Sequence, residues 1–167
     1  PSAQGNFAVV FVSHDFGKTI GWSFKEGRDF FFFFGTDSSG IILNETAVKF
    51  MGLQNPVGEN INWDGKDFHV IGVVKDIVMQ SPYEPVFRTV FVMDNGPLDV
   101  VNMRINPAVS SHKAIAAIEP IFKKYNPAQP FDYKFIDELY SRKFGDEEKI
   151  GRLAGFFAIL ATFISCL

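Results

Sequence analysis

The residue types that most often perform chemistry are sparse and scattered along this chain. The three histidines, His14, His69 and His112, stand far apart, and no two have the i, i+4 spacing of a helical metal site. The sequence contains no phosphate-binding loop, no dinucleotide fingerprint and no Gly-x-Ser-x-Gly nucleophile motif. These absences exclude ATP binding by the usual loop and give no support to nucleophilic catalysis.

Carboxylates are the remaining candidates for acid–base chemistry, because a positioned carboxyl group can donate or accept a proton. The candidates are Asp29, Asp37, Asp64, Asp67 and Asp76. Each is predicted near a turn or a strand end, where aspartate commonly caps or solvates the backbone. We therefore expect no catalytic residue, no metal site and no cofactor in this chain, and an anchored hydrolase is the weakest functional hypothesis.

The composition is that of an ordinary globular protein, with 47% hydrophobic and 21% charged residues. The net charge of -3 and the scattered Lys and Arg residues give no reason to expect nucleic acid as a partner. Cys166 is the only cysteine, so no disulfide can form within the chain. Phenylalanine is unusually frequent, with 20 residues, and five of them are consecutive at positions 30–34.

The run of phenylalanines has two interpretations: a buried strand, or a partly exposed patch that contacts lipid or a partner. Alternation along a strand would place about half of the rings on each face. We therefore predict that at least two of the rings at 31–34 are exposed. The candidate partner or substrate contacts are these four rings and one loop tyrosine: Phe31, Phe32, Phe33, Phe34 and Tyr83.

The last residues, 153–167, carry no charge. The run is shorter than the roughly 18 apolar residues expected of a spanning helix. It is cut by the end of the chain, however, and not by a polar residue. We expect a membrane-spanning helix that lacks its far end, and a buried C-terminal helix is the alternative. Its apolar positions are Leu153, Phe156, Phe157, Ile159, Leu160, Phe163, Ile164 and Leu167.

The elements around these residues predict an α+β fold, with mixed, mainly antiparallel sheets and packed helices. Hydrophobic patterns predict strands at 7–12, 41–43, 60–63, 67–78, 89–93, 100–105 and 131–135, with an extended segment at 23–26. Helices are predicted at 15–22, 45–51, 110–125 and 136–144, and another starts at Asp146 and continues into the apolar tail. Asn44 is a favourable N-cap, and Asp64-Gly65 is a strong hairpin signal.

One succession of motifs is more specific than any single residue. It runs from Ile-Leu-Asn-Glu-Thr-Ala-Val-Lys-Phe-Met-Gly at 42–52, through Asn-Pro-Val-Gly-Glu at 55–59, to Phe-His-Val-Ile-Gly-Val-Val-Lys-Asp at 68–76. Glu-Gly-Arg-Asp-Phe at 26–30 and the stretches at 126–137 and 147–153 agree with it. In order and spacing these motifs resemble the periplasmic core domain of MacB-like, FtsX-type ABC transporter permeases, in particular the many Bacteroidetes copies.

The resemblance implies a domain organisation. Residues 1–146 would be the extracytoplasmic, periplasmic core domain of a four-helix permease subunit. That domain would have two lobes, an α/β lobe and an inserted β-rich lobe at about 37–78. Residues 147–167 would begin the second transmembrane helix, and the protein would reside in the bacterial inner membrane.

The resemblance also implies a function. Such permeases dimerise and pair with a separate or fused ABC ATPase, which binds the ATP. They transmit ATP-driven movement to the periplasm, where a periplasmic adaptor or substrate protein is a further possible partner. This mechanical role, without catalysis in the chain, is the leading hypothesis. A membrane-attached module that senses a ligand or binds a substrate is the alternative.

Overall fold

The computed structural model describes residues 5–31, 35–77, 85–94, 96 and 99–165. The chain divides into two compact units, Pro1–Arg104 and Ile105–Leu167. The first unit holds the mixed sheet, and the second is helical within the described residues.

The first unit is built on one six-stranded sheet. Its strands are β1 (Ala8–Val12), β2 (Phe24–Gly27), β3 (Gly40–Asn44), β4 (Asn60–Trp63), β5 (Lys66–Val74) and β6 (Thr89–Met93). They follow the order β1-β6-β3-β5-β2, and β4 also pairs with β5. The β1–β6 and β3–β5 pairs are parallel, and the other three are antiparallel. The predicted α+β class with a mixed sheet is confirmed.

Successive strand residues point to opposite sides of the sheet. Both sides are covered by a helix, so both faces of the sheet are buried. One face packs against helix α2 (Glu45–Met51) and the other against helix α1 (Phe16–Ile20). On the α2 face the buried side chains are Ile41, Leu43, Ala47, Val70, Val73, Val90 and Val92. On the α1 face they are Val12, Phe30, Ile42, Ile71, Val74 and Phe91. The strand predicted at 67–78 corresponds to β5, which lies inside the sheet and is covered on both faces.

Two local signals in the first unit behave as predicted. The side chain of Asn44 accepts a hydrogen bond from the backbone N–H of Ala47 and caps α2. The turn between β4 and β5 has Asp64 at φ 52° and Gly65 at φ 73°. Two consecutive positive φ angles are the mark of a type I′ turn, which suits the twist of the flanking strands.

The segment at about 37–78, where we expected an inserted lobe, contains β3 and β5, which are neighbours inside the sheet. The boundary between the two compact units falls between Arg104 and Ile105, and the inserted lobe stays a prediction. A 3₁₀-helix, Gly35–Ser39, leads directly into β3.

The second unit contains helices α3 (Ser111–Tyr125) and α4 (Ile136–Ser165). The side chain of Ser110 caps α3, and the helix continues through Pro120. The two predicted helices at 136–144 and from Asp146 are one continuous helix, because 136–165 contains no proline to interrupt it.

The strands predicted at 100–105 and 131–135 are wrong, since neither segment is part of the sheet. At 131–135 the alternation serves side-chain contacts instead. The rings of Phe131 and Tyr133 lie 5.5 Å apart, those of Tyr133 and Phe135 5.6 Å apart, and Phe131 packs on Phe122 of α3. An alternating pattern therefore makes a strand only where another strand supplies backbone partners.

Within the described part of the chain, no helix is long and apolar enough to cross a membrane. The spanning helix at 147–167 stays a prediction. Of its apolar positions, the following are exposed on α4: Leu153, Phe156, Phe157, Ile159, Leu160, Phe163 and Ile164. Leu167 lies outside the described residues.

Candidate functional site

The candidate site is the loop that leaves β2 at Gly27 and contains the first exposed ring of the phenylalanine run. Gly27 has φ 78°, and it pairs with Gly72 of β5. A Cβ atom at this position would collide with the backbone oxygen of Ile71. The next residue, Arg28, donates its backbone N–H to the same oxygen at 3.0 Å. The loop therefore begins in direct backbone contact with a central strand.

An ion pair closes the loop. The guanidinium of Arg28 donates to both carboxylate oxygens of Asp37, with Nη2···Oδ1 2.6 Å and Nη1···Oδ2 2.9 Å. Such a two-point contact fixes orientation as well as distance. The backbone N–H of Phe31 donates to Asp37 Oδ2 at 2.8 Å. Asp37 is 0% exposed, so a buried carboxylate ties both ends of the loop together.

The pKa values of Asp29 and Asp37, the two aspartates of the loop, are shifted in opposite directions. Burial would raise the pKa of Asp37, but hydrogen bonds from Arg28 and from the N–H of Phe31 outweigh it and hold this pKa below its ordinary value. The hydrogen bond to Asp37 also raises the pKa of Arg28. For Asp29 burial prevails and raises the pKa, although Trp22 Nε1 and the N–H of Phe30 donate to its carboxylate at 3.0 and 2.8 Å.

The two adjacent phenylalanines of this loop lie in different environments. Phe30 is 3% exposed and belongs to the cluster on the α1 face, whereas Phe31 is 57% exposed. Neither residue lies in a strand, so the buried-strand interpretation fails at these positions. Phe32, Phe33, Phe34 and Tyr83 lie outside the described residues. Phe31 is one exposed ring of the at least two that we predicted at 31–34, and the prediction itself stays untested because the other three rings lie outside the described residues.

The other candidate carboxylates have structural roles. Asp76 accepts hydrogen bonds from the backbone N–H and hydroxyl of Thr46 at 3.0 and 2.7 Å. Asp67 accepts one from Asn62 at 2.6 Å, and Asp64 forms the hairpin turn. Throughout the described ranges, no group of three or more His, Cys, Asp or Glu side chains could hold a metal ion.

One Ser–His contact was not anticipated from the sequence. The hydroxyl of Ser39 lies 3.3 Å from Nδ1 of His69. A nucleophilic serine needs a histidine that is oriented by a carboxylate. The nearby carboxylate of Asp37 is already engaged by Arg28, and no buried donor or acceptor among the described side chains lacks a partner. The contact therefore has the character of a structural hydrogen bond.

A groove of about 420 Å³ was also missed, because we predicted a strand at 100–105. It lies in the first unit, between the outer side of β1 and the segment that follows β6. Its lining includes Val10, Phe11, Phe16, Asp94, Asp99 and Val100. No local sequence signal predicts it, since its two walls lie some 90 positions apart in the chain.

Comparison with known proteins gives a consistent result. The model of the MacB-like periplasmic core domain family matches residues 2–121. No curated protein matches the chain. Among solved structures, the periplasmic region of MacB from Actinobacillus actinomycetemcomitans has a TM-score of 0.59 at 18% identity. That match covers 80% of this chain, which in turn spans only 64% of the MacB structure.

A second solved structure, a domain assigned to a permease protein of Porphyromonas gingivalis, has a TM-score of 0.49 at 15% identity. It covers 78% of this chain and 70% of its own. At 18% identity, the similarity to the MacB structure supports the fold alone. The similarity to the second structure is too low to support any conclusion.

Proposed function

Because this chain belongs to the MacB-like periplasmic core domain family, we propose that it transmits ATP-driven conformational change from the inner membrane to proteins in the periplasm. It does so as the extracytoplasmic domain of an ABC transporter permease subunit. The observation that carries the proposal is the family match over residues 2–121. The ATP is bound by a separate or fused ATPase, and the permease works as a dimer.

The geometry of the first unit supports a mechanical role. A sheet buried on both faces moves as a rigid body, because its packed core resists small deformations. The loop that carries Phe31 is tied to this sheet through Gly27 and to Asp37 through Arg28. A contact made by Phe31 would therefore move with the whole sheet. This arrangement serves transmission of force and requires no catalytic residue.

The apolar end of α4 supports the proposed link to the membrane. Its exposed side chains from Ile150 onward, including Phe156 and Phe163, form an apolar surface that water does not favour. We propose that residues 147–167 begin the second transmembrane helix of the permease. The helix would then connect the membrane to the second unit without a break.

The coupling to ATP can be tested in the full-length permease with its cognate ATPase, reconstituted in lipid nanodiscs. A pair of spin labels on exposed positions of the sheet in the two copies would report their separation. We expect the distance distribution to change on addition of ATP. An ATPase variant that binds but does not hydrolyse ATP should trap one state. A distribution that is unaffected by ATP and by this variant would refute the coupling.

The groove beside β1 favours a second candidate, a membrane-attached module that binds a ligand or substrate. Its volume of about 420 Å³ falls within the usual range of roughly 300–1,000 Å³ for ligand pockets. A thermal-shift screen with peptides, lipids and hydrophobic antibiotics tests this candidate. We expect at least one class to raise the melting temperature, and the absence of any shift would count against it.

A further inference from the structure

The outer edge of β1 offers backbone groups that no strand among the described residues uses. β1 is the end strand of the sheet and pairs in parallel with β6. Ala8 donates its N–H to the carbonyl of Arg88 at 2.8 Å, and the carbonyl of Val12 accepts from Asp94 at 3.0 Å. Alternate residues of a strand direct their N–H and C=O groups to opposite edges. Val9 and Phe11 therefore direct theirs away from β6.

The strand β1 itself carries no charged residue, proline or bulge. Charged residues, proline and bulges protect exposed edges from pairing with another chain. The sequence of β1 is Ala-Val-Val-Phe-Val, and its register with β6 is unbroken. The end strand on the other side, β2, contains Lys25 and Glu26, and a register shift interrupts its pairing with β5. Of these two end strands of the described sheet, β1 is therefore the better template for an added strand.

The groove places an apolar surface and negative charge along this template. Phe11 is 62% exposed and Val100 on the opposite wall is 71% exposed. Asp94 and Asp99 are both exposed at the same groove. No Lys or Arg is among the described residues that line it. Its chemistry is therefore complementary to a segment that is apolar, extended and positively charged.

We propose that this groove binds an extended segment of a separate partner protein, which adds a strand to the edge of β1. Backbone groups of the segment pair with those of Val9 and Phe11. Its apolar side chains lie against Phe11 and Val100, and a lysine or arginine lies near Asp99. Main-chain pairing supplies affinity in such complexes, and the side chains supply specificity.

Charge favours a separate partner over a second copy of this chain. A second copy would present another β1, which is uncharged, together with the same two groove aspartates. The inference deepens the proposed function by naming the chemistry of a periplasmic partner, and its biological meaning rests on that function. Peptide binding itself is measured without any ATPase, so its failure is distinguishable from failure of the coupling.

The test is calorimetric titration of the whole chain, in mild detergent, with a synthetic nine-residue peptide. In the peptide valine alternates with threonine and lysine occupies both ends. One comparison peptide is methylated on alternate backbone nitrogens, which blocks strand pairing, and another has glutamate in place of lysine. We expect both comparison peptides to bind at least tenfold more weakly than the parent peptide.

Protein variants test the same contacts from the other side. Phe11→Pro removes the N–H that faces the groove and leaves the bonds to β6 in place, as tolerated on edge strands. It should weaken binding at least tenfold, whereas Phe11→Thr, which keeps the N–H, should weaken it less than threefold. Asp99→Asn should weaken it several-fold and reduce its salt dependence. Circular dichroism establishes that each variant is folded.

Several results would overturn the proposal. The first is absence of binding by the parent peptide. The second is equal binding of the parent and methylated peptides, which does not depend on the folding of any variant. The third is a dimer that forms without peptide and is lost in Phe11→Pro, because that result would assign the edge of β1 to a second copy.

Discussion

At the scale of single residues, the most consequential contact is the ion pair between the partly exposed Arg28 and the buried Asp37. Burying a carboxylate is costly unless charged and polar partners replace the lost water. Here two guanidinium N–H groups and the backbone N–H of Phe31 do so. The pair turns a loop with no regular structure into a fixed support for Phe31. Removal of Arg28 would leave the buried carboxylate of Asp37 without its cationic partner, whereas the side chain of Arg28 itself is 40% exposed.

Asp37→Asn should lower the free energy of unfolding by roughly 1.5–3 kcal/mol near neutral pH, the usual contribution of a hydrogen bond to a charged group, because the Arg28 left behind is partly exposed to water. The folded protein holds the pKa of Asp37 below its ordinary value of 3.8, so ionised Asp37 stabilises the fold above that pH. This stabilisation is lost as the pH falls through the folded pKa. Urea titrations between pH 6 and pH 2.5 should show the variant approaching wild type toward low pH.

Asp29→Asn is the matched control, because the pKa of Asp29 is raised in the folded protein. Ionisation of Asp29 therefore lowers the free energy of unfolding as the pH rises above 3.8, the ordinary pKa of an aspartate. The stability of this variant relative to wild type should increase with pH, the opposite sign to Asp37→Asn. The same pH trend in both variants would contradict the assignment of the two shifts.

Gly27→Ala should destabilise the fold by roughly 2–3 kcal/mol, because φ 78° is unfavourable for alanine and the new Cβ meets the oxygen of Ile71. Gly65→Ala separates the two effects. Gly65 has a similar φ of 73°, but open space surrounds its Cβ position, so only about 1 kcal/mol should be lost. Equal melting temperatures for the two variants would show that the close approach at Gly27 has no energetic weight.

At the scale of elements, the junction of β3 and α2 connects three parts of the first unit through one side chain. Asn44 Oδ1 accepts hydrogen bonds from the N–H groups of Ala47 and Thr89, at 3.0 and 2.9 Å. Its amide donates to the carbonyl of Phe87 at 2.8 Å. A helix cap predicted from local sequence is thus also a tertiary contact, and it holds the start of β6 beside the helix.

Asn44→Ala should therefore cost more than the loss of a helix cap. The cap alone contributes about 1 kcal/mol, and the buried groups left without partners add roughly 1–3 kcal/mol. We expect a total loss of about 2–4 kcal/mol in chemical unfolding. Ser110→Ala at the exposed N-cap of α3 is the comparison and should cost about 1 kcal/mol or less. A similar loss of unfolding free energy in the two variants would show that Asn44 contributes to stability only as a helix cap.

At the scale of the whole molecule, the chain combines a sheet with a complete core and a long helix whose apolar side chains are exposed. Large exposed apolar patches mark interfaces with proteins or membranes. The position of this surface on α4 agrees with the proposed membrane connection, while the groove and Phe31 lie in the other unit. The proposed contacts with the membrane and with periplasmic partners therefore belong to different units.

A chain that ends at Gly151 should stay monomeric in aqueous buffer, whereas the complete chain should self-associate or bind detergent. The reason is that residues 152–165 expose Phe156, Phe157, Phe163 and other apolar side chains. Multi-angle light scattering measures the mass of each species. Ile121→Ser on the exposed surface of α3 is the control and should not change the mass. Identical monomeric masses for both chains would contradict the prediction.

The fold class and most elements of the first unit could be predicted from the sequence, because their causes are local. Asn44 caps α2, and the Asp64-Gly65 turn forms the hairpin between β4 and β5. In β5, successive residues are apolar, so side chains on both faces of the strand are suited to burial. The strands predicted at 100–105 and 131–135 failed, because alternation does not reveal whether a pairing partner exists. Family membership was likewise visible in the order and spacing of motifs.

Only the tertiary structure decided which surfaces are available for contact. The Arg28–Asp37 pair, the burial of Phe30 beside an exposed Phe31, and the open edge of β1 all depend on strand order. Strand order is set by side-chain packing between residues far apart in the chain, which leaves no local pattern to read. The sequence by itself thus determined the kind of domain, and tertiary packing determined where that domain can bind a partner.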